Sequence, residues 1–306
     1  MELLKSLCEI PAPSGNESAL KNFIIQYTQE HRAQWQTTPV IIAREELQDS
    51  LILQFGEPRT ALLAHMDSVG FMVRYQDQLI SIGSPKAEDG YQLVGADHLG
   101  PIRCELAVYE SKKDKQLRYK FGRGIARGTE LTFECDFRET QEFVQSSYLD
   151  NRLGVYNALK LAETLENGLL VFSCGEEQGG GSVPFLARFI YEKFQVRQYL
   201  ISDVTWTSEG IVHGAGAAVS MRDRNIPRRS FLNKVIDLAE ASEVSFQLEV
   251  EASGSSDARE LQQSAYPIDW CFVGTPVANA HSPHEKVHRH DIDSMLALYR
   301  YLMQTL

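Results

Sequence analysis

No stretch of this sequence is long and apolar enough to span a bilayer, which reads against a protein embedded in a membrane. Nor is there a run of Lys and Arg, and the formal net charge is −11. Neither a nucleic-acid backbone nor an anionic membrane surface is therefore an expected partner, whereas a basic or amine-bearing substrate is compatible. Cysteine is sparse: Cys8, Cys104, Cys135, Cys174 and Cys271 are odd in number, scattered and without a C-x-x-C, which argues against a disulfide framework and a thiolate zinc site. The opening "MELLKSLCEIPAPSGNE" lacks the apolar core of a signal peptide and reads as a short helix, with Leu3, Leu4 and Leu7 on one face, ended by a Pro/Gly break. Internal repeats and low-complexity tracts are missing as well. The expectation is a cytoplasmic globular protein, whose 306 residues and 43% apolar content suffice for one large domain or two smaller ones.

What is present falls into alternating elements. Ser14 and Glu17 have capping-box spacing and predict a helix that runs to about His31. Strand-like runs follow at 50–55, 60–65 and 70–75. Between Val73 and Ser146, short alternating segments ("RCELAVYE", "KDKQLRYKF", "ELTFECDF") separated by Gly and Pro predict small antiparallel β structure. Val155, Ala158, Leu159, Ala162 and Leu165 then recur at helical spacing, with Asn167-Gly168 as the stop. Next come "GLLVFSC" as a strand, "VPFLARFIYEKF" as a helix, "QYLISDV" as a strand, a helix over 230–241, "DWCFVG" as a strand and a helix from Asp291. This order predicts an α/β fold, a mixed central sheet with helices on both faces built from 1–72 and 147–306, and a small inserted β-rich domain at 73–146.

The polar residues interrupt this pattern at particular places. In "ALLAHMDSVGFMV", His65 and Asp67 are two apart, so in a strand they share a face, either as a satisfied core pair or as half of a site. Glu176 and Glu177, Asp203 and His281 also follow predicted strands, where open α/β sheets carry their sites, and Asp150 stands just ahead of a helix. Such a set suits a two-metal hydrolytic site, in which His nitrogens and carboxylate oxygens hold two divalent cations around a shared carboxylate and a further carboxylate serves as base. The Glu176-Glu177 pair could supply one base and one ligand. Blander readings stand beside these. His65 could be a hydrogen-bonded core residue, Asp150 and Asp257 could cap helices, Asp203 could bond nearby amides, and Cys174 could be a small strand residue. Spacing does not choose among His281, His284, His288 and His290 in "HSPHEKVHRH". The glycines after the Glu pair lack the Gly-Lys-Ser/Thr of a phosphate loop.

Taken together, "IPAPSGNE", "HMDSVGFMV", "YLDNRLG", "GEEQGGGS", "SDVT", "SSDA" and "AHSPHE" occur in an order that resembles the M42 glutamyl aminopeptidase-like metallopeptidases, relatives of the M28 and M20 zinc peptidases. The resemblance covers nearly the whole chain. It implies His65 and Asp203 as ligands of one metal, Glu177 and His281 as ligands of a second, Asp150 as the carboxylate bridging both, Asp67 as the residue that orients His65, and Glu176 as general base and acid. Asp257 matches an acidic position close to the family's site. The chain departs from the family pattern at Gly175, at "QGGG" after the Glu pair and at "VANA" before His281, around the side-chain pocket. The implied protein is a homo-oligomeric metallo-aminopeptidase with two divalent metal ions per chain (zinc, or else cobalt or manganese). It acts on peptides with a free N-terminus, and its insert governs assembly and access. The alternatives are an M20/M28-like amidohydrolase of acylated amino acids and a relative that binds metal or peptide without turnover.

Overall fold

The computed structural model describes residues 1–110 and 115–306. Helices α1 (Glu2–Cys8) and α2 (Ser18–His31) lead into strands β1 (Val40–Ile42), β2 (Leu51–Phe55) and β3 (Thr60–His65). Six strands follow: β4 (Gly70–Val73), β5 (Gln78–Ile82), β6 (Gln92–Asp97), β7 (Gly100–Glu110), β8 (Lys115–Lys120) and β9 (Glu130–Phe133). Beyond them lie β10 (Arg138–Glu139), β11 (Phe143–Ser146), α3 (Leu149–Ala162), β12 (Gly168–Ser173), α4 (Val183–Phe194), β13 (Gln198–Trp206) and β14 (Ala217–Arg222). The chain finishes with α5 (Arg229–Ala241), β15 (Phe246–Val250), α6 (Ala258–Gln262), β16 (Asp269–Ala278), β17 (Glu285–His288) and α7 (Arg289–Thr305). Lys113 and Asp114 of the expected segment "KDKQLRYKF" lie outside the described residues.

Eleven strands make one sheet in the order β1-β2-β12-β3-β13-β16-β17-β11-β10, from which β14 and β15 branch at β16. Its centre is parallel, β12 on β3, β3 on β13 and β13 on β16. Strands covered on both faces need no polar alternation, and every residue of β3 and β12 is buried. Their side chains divide by the period of two. Leu62, Ala64, Leu170 and Phe172 pack with residues of α2, α3, α5 and α7, while Ala61, Leu63, Leu169 and Val171 pack with residues of α4 and α6 on the other face. The mixed α/β architecture is as expected. Strands β4 to β9 close into a barrel in the order β4-β5-β8-β7-β6-β9, around Phe71, Leu93, Leu106 and Phe133. Among the described residues no helix is long and apolar enough to cross a membrane.

Four local readings change. Ser14 does not cap α2, whose first residue is Ser18; its hydroxyl donates instead to Asp67 Oδ2 at 2.6 Å, because a buried carboxylate outbids a helix amide that water can reach. Helix α3 stops at Ala162, ahead of Asn167-Gly168; the Asn167 side chain accepts from the Glu57 amide at 2.8 Å and Gly168 opens β12. Strands β10 and β11, within the span 73–146, hydrogen-bond into the large sheet through β17, whereas the barrel begins at Gly70. Asp203 is in the body of β13, which outruns its pairing with β3 at Leu63 and continues beside β16 to Trp206.

Arg152 holds the site's foundations. It is among the largest fully buried side chains, and it donates to three backbone carbonyls: Leu7 (3.1 Å, near the end of α1), Ile10 (3.2 Å) and Met66, between His65 and Asp67. Burial lowers the guanidinium's pKa, a cost offset by these three acceptors. Arg152→Met should keep the stem and strand three acceptors. At about 1 kcal/mol or more for each, unfolding free energy should fall by at least about 3 kcal/mol, read as a lowered urea midpoint. An unchanged midpoint would mean that water replaces the guanidinium without cost.

Candidate metal centre

His65 is the last residue of β3, and its Nε2 lies 3.3 Å from Asp150 Oδ1 and 3.6 Å from Asp203 Oδ1. The other oxygen of Asp150, Oδ2, lies 3.2 Å from His281 Nε2, which in turn is 3.4 Å from Glu177 Oε2. Asp150 therefore stands between two clusters, His65/Asp150/Asp203 and Asp150/Glu177/His281, in each of which one ligand atom per residue lies within 4.8 Å of the others. All five residues singled out as ligands come together from five separate stretches of chain.

The local sequence explains how each arrives. Asp150 lies at a break in α3, with φ −82° and ψ 108°, after Tyr148 in the left-handed region, and so it does not cap a regular helix. Asn151 manages the break: its Oδ1 accepts from the Gly154 amide at 2.8 Å, and its Nδ2 donates to Ser202 O at 2.8 Å, beside Asp203. Gly154 must lack a side chain, because a Cβ there would stand 2.1 Å from Ser202 O. In "LDNRLG" each of four residues thus has its own task. His281 takes φ 63°, and its Nδ1 faces Ser84 O at 3.1 Å, which directs Nε2 toward Asp150. His284 lies edge-on to Tyr91, His288 accepts from the His290 amide at the start of α7, and His290 bonds Ser245, so only His281 of that group reaches the cluster.

Asp67 does more than face His65. Its backbone oxygen is 3.2 Å and its Oδ1 3.5 Å from His65 Nδ1, both acceptors that place the proton on Nδ1. The same carboxylate accepts from the amides of Glu176 and Glu177, each at 3.0 Å, and from Ser14. One side chain, 0% exposed, thereby joins the end of β3 to the loop after β12. That loop folds back on itself at Gly181, where a Cβ would lie 1.7 Å from Cys174 O. Glu285 is a member of the site that sequence reasoning missed. It is 1% exposed and accepts from the Asp150 amide at 3.0 Å and the His281 amide at 2.6 Å, tying the two sides of the second cluster. Its only signal was its place at the end of "AHSPHE". Asp257 stands at the N-cap position of α6, but its side chain makes no cap hydrogen bond; its Oδ2 accepts from Ser173 Oγ at 2.6 Å instead.

Charge in this region is one-sided. Burial would lower the pKa of His65, yet Asp203 and Asp150 hold it well above the ordinary range; His281 reaches about 10 because the hydrogen bond with Asp150 outweighs burial. Asp150 is held below the usual carboxylate range, since its contacts with both imidazoles prevail over burial. Burial, with the charge of Asp150 added, pushes Glu177 up to about 8; burial with Asp257 and Glu177 beside it pushes Glu176 well up; burial takes Asp257 to about 7. Glu177 Oε1 and Asp257 Oδ1 are buried and have no hydrogen-bond partner among the described residues. An excess of buried carboxylate over two imidazoles, with acceptors to spare, is a donor set that fits divalent cations. Glu176 differs from its neighbour: its carboxylate is in no ion pair among the described residues and belongs to neither cluster. A cavity of about 530 Å³ opens over the cluster, from Ser84 on the barrel side to Glu249 and Phe272 on the sheet side.

Residues 110–298, more than half of the chain, match the M42 glutamyl aminopeptidase family. A protein of Acetivibrio thermocellus assigned as an aminopeptidase is 25% identical over 97% of this chain and 96% of its own length. Among solved structures, the aminopeptidase APDkam598 of Desulfurococcus kamchatkensis superposes with a TM-score of 0.87 at 20% identity, over 100% of this chain and 94% of that one. The TET1 peptidase of Pyrococcus horikoshii, which assembles into a tetrahedron or a large octahedral shell, has a TM-score of 0.82 at 20% identity, over 100% of this chain and 99% of that one.

Proposed function

The chain belongs to the M42 glutamyl aminopeptidase family and is a hydrolase of peptide bonds, and from that premise we propose that it releases N-terminal residues from peptides with two divalent metal ions and Glu176 as general base. The observation that carries this reading is the double use of Asp150, whose two oxygens each face a different imidazole at 3.3 and 3.2 Å. His65, Asp203 and Asp150 would hold one ion, and Glu177, His281 and Asp150 the other. When bound, such ions polarise a carbonyl oxygen and lower the pKa of water from about 15.7 to about 7; zinc suits the imidazole and carboxylate set, with cobalt or manganese as substitutes.

The chain's own residues supply the rest. Glu176, raised well above the carboxylate range by burial, takes a proton from the attacking water and returns it to the departing amine. Asp67 holds both amides of the Glu pair, so the base and a ligand are set in one rigid turn against His65. The acidic cavity receives the substrate's α-ammonium, which is how an exopeptidase finds a chain end. The barrel meets the site directly: the Gly83 amide donates to Gln178 Oε1 at 2.8 Å and the Lys86 amide to His281 O at 2.9 Å, which supports a role for residues 73–146 in access. The likeness to the TET1 peptidase supports assembly into a homo-oligomer as part of this reading, and five free thiols fit a reducing cytoplasm.

Chelation should abolish release from free-amine dipeptides and lower the thermal midpoint, and zinc, cobalt or manganese should restore both; at an ion concentration about 1,000-fold above Kd each site contributes about 4 kcal/mol. Elemental analysis should find two ions per chain. Full turnover with one ion or none, or efficient cleavage of N-acetylated dipeptides in place of free ones, would overturn the reading.

A further inference from the structure

Strand β15 carries its side chains the wrong way round for a sheet edge. Leu248 and Val250 are 46% and 64% exposed, while Glu249 between them is 3% exposed and faces inward, in register with Ser220 of β14. Glu249 accepts from Thr205 Oγ1 and lines the cavity over the metal centre together with Glu251 and Asp223. Among the described residues none of these three carboxylates is in an ion pair, and none joins a group of ligand atoms spaced for a metal ion. The cations that line the cavity are Lys86, in the loop that meets His281, and Arg259, whose Nε lies 3.6 Å from Glu260. A second observation is independent of this wall: Asp257, 2% exposed, lines the same cavity, and its Oδ1 is an acceptor with no partner among the described residues. Val204 and Phe272 add apolar surface to the lining.

We propose that the N-terminal residue which this enzyme releases carries a cationic side chain, lysine or arginine, whose charged head meets Glu249, Glu251 and Asp223 while its methylene stem lies along Val204 and Phe272. The inference rests on the aminopeptidase reading above and adds its substrate class. A long side chain with an apolar stem and a charged tip suits a cavity whose lining holds both apolar residues and carboxylates outside the metal clusters. Three carboxylates that have no ion-pair partner among the described residues favour a positive group, and they repel a Glu- or Asp-terminated peptide by the same charge.

The test measures kcat/KM of the metal-loaded enzyme on dipeptides that differ only in their first residue: Lys, Arg, Met, Leu and Glu. Met matches the length of the lysine stem without its charge. The expected order places Lys and Arg at least tenfold above Met, with Glu lowest. Glu249→Gln, which keeps an acceptor for Thr205, should cut the Lys-to-Met ratio at least tenfold, and Glu251→Gln should cut it less; a ratio measured on one sample is unaffected by any unfolded fraction. Met or Leu at or above Lys overturns the inference and leaves the aminopeptidase reading standing. An unaltered ratio in Glu249→Gln also overturns it, and makes Glu249 an inward charge that guards the free edge of β15. No release from any of the five overturns the aminopeptidase reading and this inference with it.

Discussion

Glu176→Gln should keep both metal ions and lose at least about 100-fold in kcat, the lower end of what a positioned general acid–base contributes. The substitution is nearly isosteric, and the amides of residues 176 and 177 still reach Asp67, so the turn keeps its shape. It also removes a buried acid whose pKa stands well above its ordinary value, chiefly through burial, so the metal-free variant should be no less stable than the parent. Glu177→Gln should behave in the opposite way, since Glu177 Oε2 is 3.4 Å from His281 Nε2 and shares a cluster with it and Asp150. Metal content by elemental analysis, beside kcat, separates the two. A Glu176→Gln enzyme emptied of metal, next to a Glu177→Gln enzyme that stays full, would reverse the assignment of the pair.

The largest effect on metal binding should come from Asp150→Asn. Each oxygen of Asp150 serves a different cluster, and an amide is uncharged and offers one oxygen and one NH₂, so the ion on the NH₂ side would face a donor group while the ion on the oxygen side would lose the carboxylate's negative charge. Affinity for both ions should drop by more than about 100-fold, beyond the 10- to 100-fold typical of residues that merely support a ligand, and turnover should fall with it. The measurement is competition with a chromophoric chelator, read per chain. Loss of a single ion with the other held at parental affinity would show that Asp150 serves one cluster only.

Several of these features were legible in the sequence for physical reasons that differ from place to place. The strands β3, β12, β13 and β16 were plain because a strand buried on both faces reads as an unbroken apolar run, and α4 because its apolar positions recur at helical spacing. Strands β14 and β15 were not foreseen; β15 hides a glutamate and shows leucine and valine to solvent, so no alternation rule finds it. His65, Asp67, Asp150, Glu177, Asp203 and His281 were all singled out as polar residues beside predicted elements. The selection of His281 from four histidines depended on resemblance, because what separates them is a left-handed backbone at residue 281 and a hydrogen bond to Ser84, neither of which leaves a spacing. Glu285 and the amide contacts of Asp67 were missed for a related reason: a carboxylate that accepts from backbone amides has partners of any residue type.

The five residues that converge on the centre are spread from position 65 to position 281 and belong to segments that meet only when β3, β13 and the ends of β12 and β16 are side by side. During synthesis the second cluster therefore lacks His281 until β16 and the loop after it have been made, and a sheet with such distant pairings closes late. A half-made chain holds at most one three-residue cluster. On the two-ion reading proposed above, a chain stopped short of residue 281 would lack turnover, so activity waits on the most distant pairings of the sheet.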